Sequence, residues 1–142
     1  MAKYSWMRVS DLMTRNPVSV SPSATIAEAD ELMAENRIRQ LPVVENSTLV
    51  GVVTDRDLRS FLSGSLFCPP EERERVLATK IGDVMTTNPF TLSPDDELQE
   101  AVERLLDQKT GGAPVTDASD GLAGIITYID LLQCLLNRIQ ED

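Results

Sequence analysis

The chain has 142 residues, of which 42% are hydrophobic, and this suits one compact unit or two small ones that share a core. Its net charge of −10 comes from 13 Lys and Arg against 23 Asp and Glu, without a basic run, which argues against nucleic acid or anionic lipid as the main partner. Histidine is absent, which removes the commonest general base and metal ligand. We therefore expect no catalytic residue and no metal site.

The chain shows no sign of export or membrane insertion. No apolar stretch reaches the ~18 residues that a membrane span needs, and "MAKYSWMRVSD" at the start lacks the apolar core of a signal peptide. Cys68 and Cys134 are isolated, which favours reduced thiols over a disulfide or a zinc site. We expect a cytoplasmic protein.

An internal repeat organises the sequence. "VSDLMTRNPVSVSP" (9–22) and "IGDVMTTNPFTLSP" (81–94) agree at seven positions with an offset of 72. Further on, "GVVTDRDL" (51–58) matches "GIITYIDL" (124–131) with an offset of 73, which indicates one inserted loop residue. The chain is a tandem duplication.

In chain order, the first copy starts with a short extended piece, "PVSV" (17–20), after an Asn-Pro turn. A helix follows, for which Thr25 and Glu28 predict a capping box. Strands at 41–45 and 49–54, joined by "NST", and a helix at 55–62 complete the copy.

The linker between the copies covers residues 60–80. Pro70 is suited to the first turn of a short helix through "EERERVLA". We expect Leu66, Phe67 and Val76 to hold this linker against the rest of the protein.

The second copy repeats the plan with an extended "PFTL" (89–92) and with Asp95 and Asp96 at the start of a helix, where the helix dipole favours acids. Strands are predicted at 113–116 and 122–127, followed by a helix at 128–140. The apolar stripes of the two helices are Leu98, Ala101, Val102, Leu105 and Leu106, and then Leu131, Leu132, Leu135, Leu136 and Ile139.

Each copy therefore reads strand, helix, strand, strand, helix, which is an α+β arrangement. A unit of this size buries little surface alone. We expect the two copies to pack as one globule with pseudo-twofold symmetry and a cleft on each side of their junction.

The duplicated "DLMTRNPVSVSPSATIAEADELMAENRIRQLPVVENSTLVGVVTDRDL" resembles a CBS domain, and the tandem resembles a Bateman module. The resemblance implies one CBS domain over 7–62, a linker over 63–78 and a second CBS domain over 79–140. The linker and "KTGGAPVTD" are similar to stand-alone CBS pairs related to acetoin utilization proteins.

This resemblance implies a regulatory, energy-sensing module rather than an enzyme. Members bind AMP, ADP or ATP, and some relatives bind S-adenosylmethionine. They commonly pair into dimers, so we expect a homodimer that passes a conformational signal to a regulated protein of unknown identity.

Thr54 and Asp57 are the first candidate site residues. A strand ends at Thr54 and a helix begins, so free backbone N–H groups and the positive end of the helix dipole are available to a polar ligand. A carboxylate accepts two hydrogen bonds, which suits the vicinal hydroxyls of ribose. The alternative is a plain helix cap. The resemblance implies that Thr54 and Asp57, with Thr127 and Asp130 in the second copy, hold the ribose.

The same resemblance implies where the base and the phosphates lie. The phosphate-binding residues of the first copy would be Arg39, Gln40 and Arg56, whereas the second copy has Gly111 and Gly112 before its strand proline and so lacks its own phosphate clamp. The adenine pocket would be formed by Pro17, Val18, Pro42, Pro89, Phe90, Ala113 and Pro114.

Two functions stay open at this point. The first is adenine-nucleotide sensing in the clefts between the repeats, at two unequal sites. The second is a non-catalytic interaction scaffold with degenerate ligand sites, which the glycine pair favours for the second copy.

Overall fold

A computed structural model describes residues 7–141. These residues form two compact units, each built on a three-stranded antiparallel sheet. One unit runs from Val18 to Pro89. The other combines the described residues up to Pro17 with those from Phe90 onward.

The sheet of the Val18–Pro89 unit has the order β2 (Gln40–Glu45), β3 (Thr48–Thr54), β4 (Thr86–Thr87). The hairpin between β2 and β3 turns through Asn46 and Ser47, both with positive φ (51° and 65°), as mirror-image hairpin turns require. Its elements are α2 (Ile26–Asn36), β2 (Gln40–Glu45), β3 (Thr48–Thr54), α3 (Asp55–Ser65), α4 (Pro70–Leu77), a 3₁₀ turn (Ile81–Asp83) and β4 (Thr86–Thr87).

Aliphatic side chains fill the core of this unit. Ile26, Ala29 and Met33 of α2 are buried and pack on the sheet and on Leu58 of α3. The remaining buried members of the cluster are Val20, Leu41, Val43, Val53 and Ile81.

The sheet of the second unit has the order β1 (Thr14–Arg15), β6 (Leu122–Thr127), β5 (Gly112–Thr116). Ala101 and Leu105 of its central helix pack on Ala113, Val115 and Ile126 of the sheet. Its elements are α1 (Val9–Leu12), β1 (Thr14–Arg15), α5 (Leu98–Gln108), β5 (Gly112–Thr116), β6 (Leu122–Thr127) and α6 (Tyr128–Glu141).

The compact units cross the boundaries of the sequence repeats. The two-residue strand β1 from the first repeat pairs with β6 of the second, and β4 from the second repeat pairs with β3 of the first. Glycine allows this pairing, since a Cβ at Gly124 would lie 2.7 Å from the Thr14 carbonyl oxygen, and one at Gly51 would lie 2.8 Å from that of Thr86. The third strand of each sheet therefore packs closely against a glycine of the central strand.

The extended pieces predicted at 17–20 and 89–92 do not become strands. Each makes a single parallel bridge, Val20 with Val43 and Leu92 with Val115. The bridge carries two hydrogen bonds, such as Val20 N to the Pro42 carbonyl (3.1 Å) and Val44 N to the Val20 carbonyl (2.8 Å). These segments still close the edge of their sheets.

The helix starts differ from the predicted ones in detail. Thr25 caps α2 by accepting from the Glu28 N–H at 3.2 Å, but the structure gives no return bond from the Glu28 side chain, so only half of the predicted capping box forms. Asp96 lies before α5, in a turn in which its carboxylate accepts from the Ser93 N–H at 2.9 Å. Asp95 and Asp96 therefore lie two residues and one residue before the N-cap Glu97, just outside the helix start at which they were predicted.

The linker helix α4 confirms the prediction that rested on Pro70. The expected anchoring by Leu66 and Phe67 is wrong, because these side chains are 64% and 94% exposed, and only Val76 is half-buried. The apolar stripe of α5 also ends early, since Leu106 is exposed. On α6 only Leu131 packs on the core, and the other four apolar residues of its predicted set are exposed.

Candidate functional site

The first candidate junction lies where β3 ends and α3 begins. The Thr54 backbone N–H donates to Asp57 Oδ2 at 3.0 Å, and the Asp57 N–H donates to Thr54 Oγ1 at 3.1 Å. This reciprocal pair is a capping box, so the helix-cap interpretation of T-x-x-D is confirmed. Among the described residues, Asp57 Oδ1 has no hydrogen-bond donor, so the cap leaves one carboxylate oxygen and the Thr54 hydroxyl proton available.

Two of the predicted phosphate-binding residues adjoin this junction. Gln40 stands opposite Thr54 in the β2–β3 register, and the Arg39 carbonyl accepts from the Asp55 N–H at 2.8 Å. Arg56 lies in the first turn of α3 with an exposed side chain. The backbone therefore brings Arg39, Gln40 and Arg56 beside the Thr54–Asp57 pair.

Two further arginines, Arg37 and Arg59, lie beside this junction together with Arg39. An open depression of about 320 Å³ beside the start of α3 is lined by Arg37, Arg39 and Arg59, together with Asp30 and Asp55. Arg59 Nε lies 3.4 Å from Asp55 Oδ1. The first junction is consequently flanked by three exposed guanidinium groups in a chain whose overall charge is strongly negative.

The second candidate junction has the same backbone plan but different side-chain bonds. The Thr127 N–H donates to Asp130 Oδ2 at 2.9 Å, and the Thr127 hydroxyl also lies 3.4 Å from that oxygen. Thr14 of β1 donates from its hydroxyl to Asp130 Oδ1 at 3.2 Å. Both carboxylate oxygens of Asp130 are therefore already engaged within the protein.

The aromatic ring of Tyr128 lies beside the second junction, next to the glycine that matches Arg39 of the first copy. The Tyr128 N–H donates to the Gly111 carbonyl at 3.0 Å, which matches the Asp55–Arg39 bond of the first copy. A Cβ at Gly111 would lie only 2.5 Å from Tyr128 Cε1. The ring thus fills the space that the side chain of an arginine would need at this position.

Gly112 is constrained as well, by the neighbouring strand. A Cβ there would lie 2.7 Å from the Ile126 carbonyl oxygen and 3.0 Å from Thr127 Cγ2. In the first copy Gln40 fills the equivalent position. The packing around Gly112 therefore leaves no room for a side chain at this position.

The predicted adenine-pocket residues lie beside the sheets, mostly with little exposed surface. Pro42, Ala113 and Pro114 are buried, so their side chains support the strands and present no surface to solvent. Val18 and Phe90 are partly buried, each against the core of its own unit. Pro17 and Pro89 are half-buried. Their assignment to an adenine pocket, and the cleft between the repeats, stay predictions.

Arg104, which lies over the Phe90 ring, is not predicted as a site residue from the sequence. The Arg104 guanidinium lies 5.0 Å from the centroid of the Phe90 ring and 3.4 Å from Asp96 Oδ2. Its position on α5 carries no motif, because the partners are 14 and 8 residues away in the sequence. Arg104 also lines an open depression of about 570 Å³ with Ser93, Asp117 and other residues of the same unit.

Cys68 and Cys134 are free thiols, and a hydrogen bond with Glu72 is the main cause that raises the pKa of the Cys68 thiol. Within residues 7–141, no group of His, Cys, Asp and Glu is arranged to hold a metal ion. In the same range, no helix is long and apolar enough to cross a bilayer.

Comparison with known proteins identifies the family. The CBS domain model matches residues 9–64 and 81–137, so the chain belongs to the CBS domain family and carries two tandem copies. It is 34% identical over 133 residues to the uncharacterized protein MJ1225 of Methanocaldococcus jannaschii. The match covers 88% of this chain but only 48% of that relative, so the chain spans about half its length.

Two solved structures are similar over nearly their whole length. The first is CBSX2 in complex with AMP, a protein of Arabidopsis thaliana, with 33% identity, a TM-score of 0.78 and coverage of 92% of this chain and 96% of that chain. The second is a putative acetoin utilization protein, AcuB, of Vibrio cholerae, with 31% identity, a TM-score of 0.81 and coverage of 94% and 93%. The α+β fold with two CBS repeats and the likeness to acetoin utilization-type pairs are thereby confirmed.

Proposed function

We propose that this CBS pair binds an adenine nucleotide, AMP, ADP or ATP, at the Thr54–Asp57 junction and acts as a non-catalytic regulatory module. The observation that carries the proposal is the likeness to CBSX2, a relative that is 33% identical over the solved chain and whose structure was solved in complex with AMP. S-adenosylmethionine is the alternative ligand with the same adenosine part.

The geometry of the first junction supports this ligand class. The Asp57 Oδ1 oxygen can accept from a ribose hydroxyl, since the capping bond uses the other carboxylate oxygen. Arginine binds phosphate oxygens in pairs through its planar fork, and Arg39 and Arg56 stand beside the junction. Ribose recognition and phosphate neutralisation are therefore available within a few residues of one another.

The second junction has a weaker claim as a nucleotide site. A ribose hydroxyl at Asp130 would have to share or replace the hydrogen bond from Thr14, and the Tyr128 ring stands where a cation would be needed. These two features favour the scaffold alternative for the second copy alone. We propose unequal sites, of which the first takes the nucleotide.

Regulation follows if the nucleotide prefers one of two conformations of the pair. A ligand shifts such an equilibrium only by its difference in affinity for the two states. A regulated protein would then bind the favoured state, and a second copy of this chain is part of the proposal.

A thermal-melting screen tests the proposal. The chain is heated with AMP, ADP, ATP, S-adenosylmethionine and, as a control of equal charge type, GTP. A ligand at 100 times its dissociation constant stabilises by about 2.7 kcal/mol, which is a rise of several degrees in the melting temperature. We expect such a rise with at least one adenine ligand and a smaller one with GTP. No rise at millimolar concentrations of any of the adenine ligands would contradict the proposal.

A further inference from the structure

A threonine from a distant part of the chain donates to the aspartate of the second junction. The Thr14 hydroxyl lies 3.2 Å from Asp130 Oδ1, and the two residues are 116 positions apart in the sequence. The Thr127 N–H and hydroxyl engage the other carboxylate oxygen, at 2.9 and 3.4 Å. The bond from Thr14 to Asp130, here called the Thr14 latch, is therefore the contact that the structure shows at Oδ1.

The first copy has the same threonine but not the same bond. With the offset of 72, Thr86 matches Thr14, and it pairs with Val52 in its sheet as Thr14 pairs with Ile125. Among the described residues, no hydroxyl donates to Asp57, whose carboxylate accepts only from the Thr54 N–H. The latch is therefore specific to the second copy and is not required by the fold.

Buried neighbours fix the backbone that presents the latch hydroxyl. Val9 is fully buried, and its N–H donates to the Asp96 carbonyl at 3.0 Å. In β1, the Thr14 carbonyl oxygen approaches Gly124 so closely that a Cβ there would lie 2.7 Å from it. Thr14 is nevertheless an exposed residue. Its hydroxyl can therefore leave Asp130 by rotation about one side-chain bond, without movement of the strand.

The latch hydroxyl makes the bond that a ribose hydroxyl would make. A carboxylate oxygen has two lone-pair sites, so Asp57 Oδ1 can accept from both vicinal hydroxyls of a ribose. Asp130 Oδ1 can accept from only one while Thr14 is bound to it. A ligand must therefore displace the Thr14 hydroxyl to bind Asp130 as fully as Asp57. Its apparent affinity is lowered by the fraction of molecules in which the latch is open.

The surroundings of the second junction favour a ligand without phosphate. Arg39 and Arg56, the proposed phosphate-binding arginines of the first copy, have the counterparts Gly111 and Ile129 in the second. The Tyr128 ring lies against Gly111 and is 48% exposed. An exposed aromatic ring can stack on a nucleobase of any kind. A neutral nucleoside thus fits this junction better than a nucleotide does.

We propose that the second junction is a latent site for a neutral nucleoside, with adenosine as its probe, and that the Thr14 latch keeps it closed. The inference rests on the proposed function, from which it takes ribose binding by the aspartate of each junction. The Thr14 hydroxyl is an internal competitor of the ligand for Asp130. We expect its removal to strengthen nucleoside binding about five- to tenfold, as the loss of one competing hydrogen bond implies.

Titration of the full chain with adenosine, followed by amide-resolved NMR, tests the latch because it reports each junction separately. In Thr14→Ala we expect the signals of Thr127 and Asp130 to titrate with a dissociation constant about five- to tenfold lower than in the wild type. Thr14→Ser keeps the hydroxyl and is the matched control, which should bind as the wild type does. Thr86→Ala removes the corresponding side chain of the first copy and should leave the second junction unchanged.

Two more variants locate the gain and guard against a fault of folding. Thr14→Ala/Asp130→Asn should lose the gain, because the carboxylate that the latch covers is gone. Thr14→Val keeps the β-branched shape that suits a strand and loses only the donor, so it should change affinity in the same direction as Thr14→Ala. Circular dichroism checks that every variant is folded.

Failure of the latch is distinguishable from failure of the proposed function. Thr14→Ala and Thr14→Val proteins that bind adenosine no more tightly than the wild type, or a gain that survives Asp130→Asn, overturn the latch. The signals of Thr54 and Asp57 during a separate titration with AMP report the first junction. Their failure to respond would contradict the proposed nucleotide site, whatever the Thr14 variants show at the second.

Discussion

The Thr54–Asp57 and Thr127–Asp130 junctions share one backbone arrangement but differ in the hydrogen bonds of their side chains. In both, a threonine ends a strand and an aspartate accepts from its N–H. The residue after the threonine donates to the carbonyl of the residue just before the neighbouring strand. Asp57 keeps one oxygen without a described donor, whereas Thr14 and Thr127 engage both oxygens of Asp130. Duplication has thus preserved the scaffold of the junction while its availability to a ligand has changed.

The surroundings of the two junctions also differ, since cationic side chains flank the first. The first is flanked by Arg37, Arg39 and Arg59, and the second by Gly111 and the ring of Tyr128. On the outer helices, the first copy presents Arg56 where the second presents Ile129. The comparison teaches that the first copy has exposed arginines beside its junction, whereas the second has an aromatic ring there and an exposed isoleucine at the equivalent helix position.

The largest expected effect is a loss of stability on replacing the glycine that faces the third strand in each unit. Gly51→Ala and Gly124→Ala each place a Cβ within 3 Å of a backbone carbonyl oxygen of the third strand. Because backbone cannot move aside cheaply, we expect each to lower the free energy of unfolding by about 2–4 kcal/mol, measured by urea denaturation. Gly64→Ala is the matched control, since a Cβ there meets nothing within 4 Å. A stable Gly124→Ala protein would show that β1 is loosely held.

A smaller effect is expected where the copies diverge at Gly111. Gly111→Arg, which installs the residue of the first copy, collides with Tyr128 Cε1 and should cost about 1–3 kcal/mol of unfolding free energy. Adding Tyr128→Asp, the residue that the first copy has, removes the collision. We expect most of the loss to be recovered in the double variant. Equal losses in both proteins would mean that the ring is not the obstacle.

The Thr14–Asp130 hydrogen bond should have a modest effect on stability. Thr14→Val removes the donor to Asp130 Oδ1 and should cost about 0.5–1.5 kcal/mol in chemical denaturation. Thr86→Val is its counterpart, because Thr86 pairs with Val52 as Thr14 pairs with Ile125 but makes no described bond to Asp57. We expect Thr86→Val to change stability by less than about 0.5 kcal/mol. Equal costs would erase the difference between the two aspartates.

Sequence periodicity predicts most of the regular structure. The hairpins, the helices α2, α3, α5 and α6, and the linker helix after Pro70 all form where β-branched runs, stripes and caps indicate them. Segments of two residues, β1 and β4, carry no periodic signal, and the repeated glycine inside β3 and β6 was the available clue. The stripe of α6 predicts a helix correctly but cannot say that its leucines face outward, because exposure depends on what packs nearby.

The residues of the candidate site can be predicted from the sequence, but the hydrogen bonds that they make cannot. T-x-x-D indicates both junctions, and Gly111 and Gly112 already suggest unequal phosphate binding. The donor that occupies Asp130 is 116 residues away in the sequence, so no local pattern reveals it. The same holds for Arg104, whose position over Phe90 depends on the packing of α5.

Isothermal titration of AMP into the wild type, Asp57→Asn and Asp130→Asn tests the account most directly. Asparagine keeps the size of the side chain and one carbonyl oxygen, so folding can be matched by circular dichroism while the carboxylate is lost. We expect Asp57→Asn to weaken AMP binding at least about tenfold, as the loss of a charge-assisted hydrogen bond implies, and Asp130→Asn to change it less than threefold. Equal losses in both variants, or a larger loss in Asp130→Asn, would contradict the claim that the first junction is the nucleotide site.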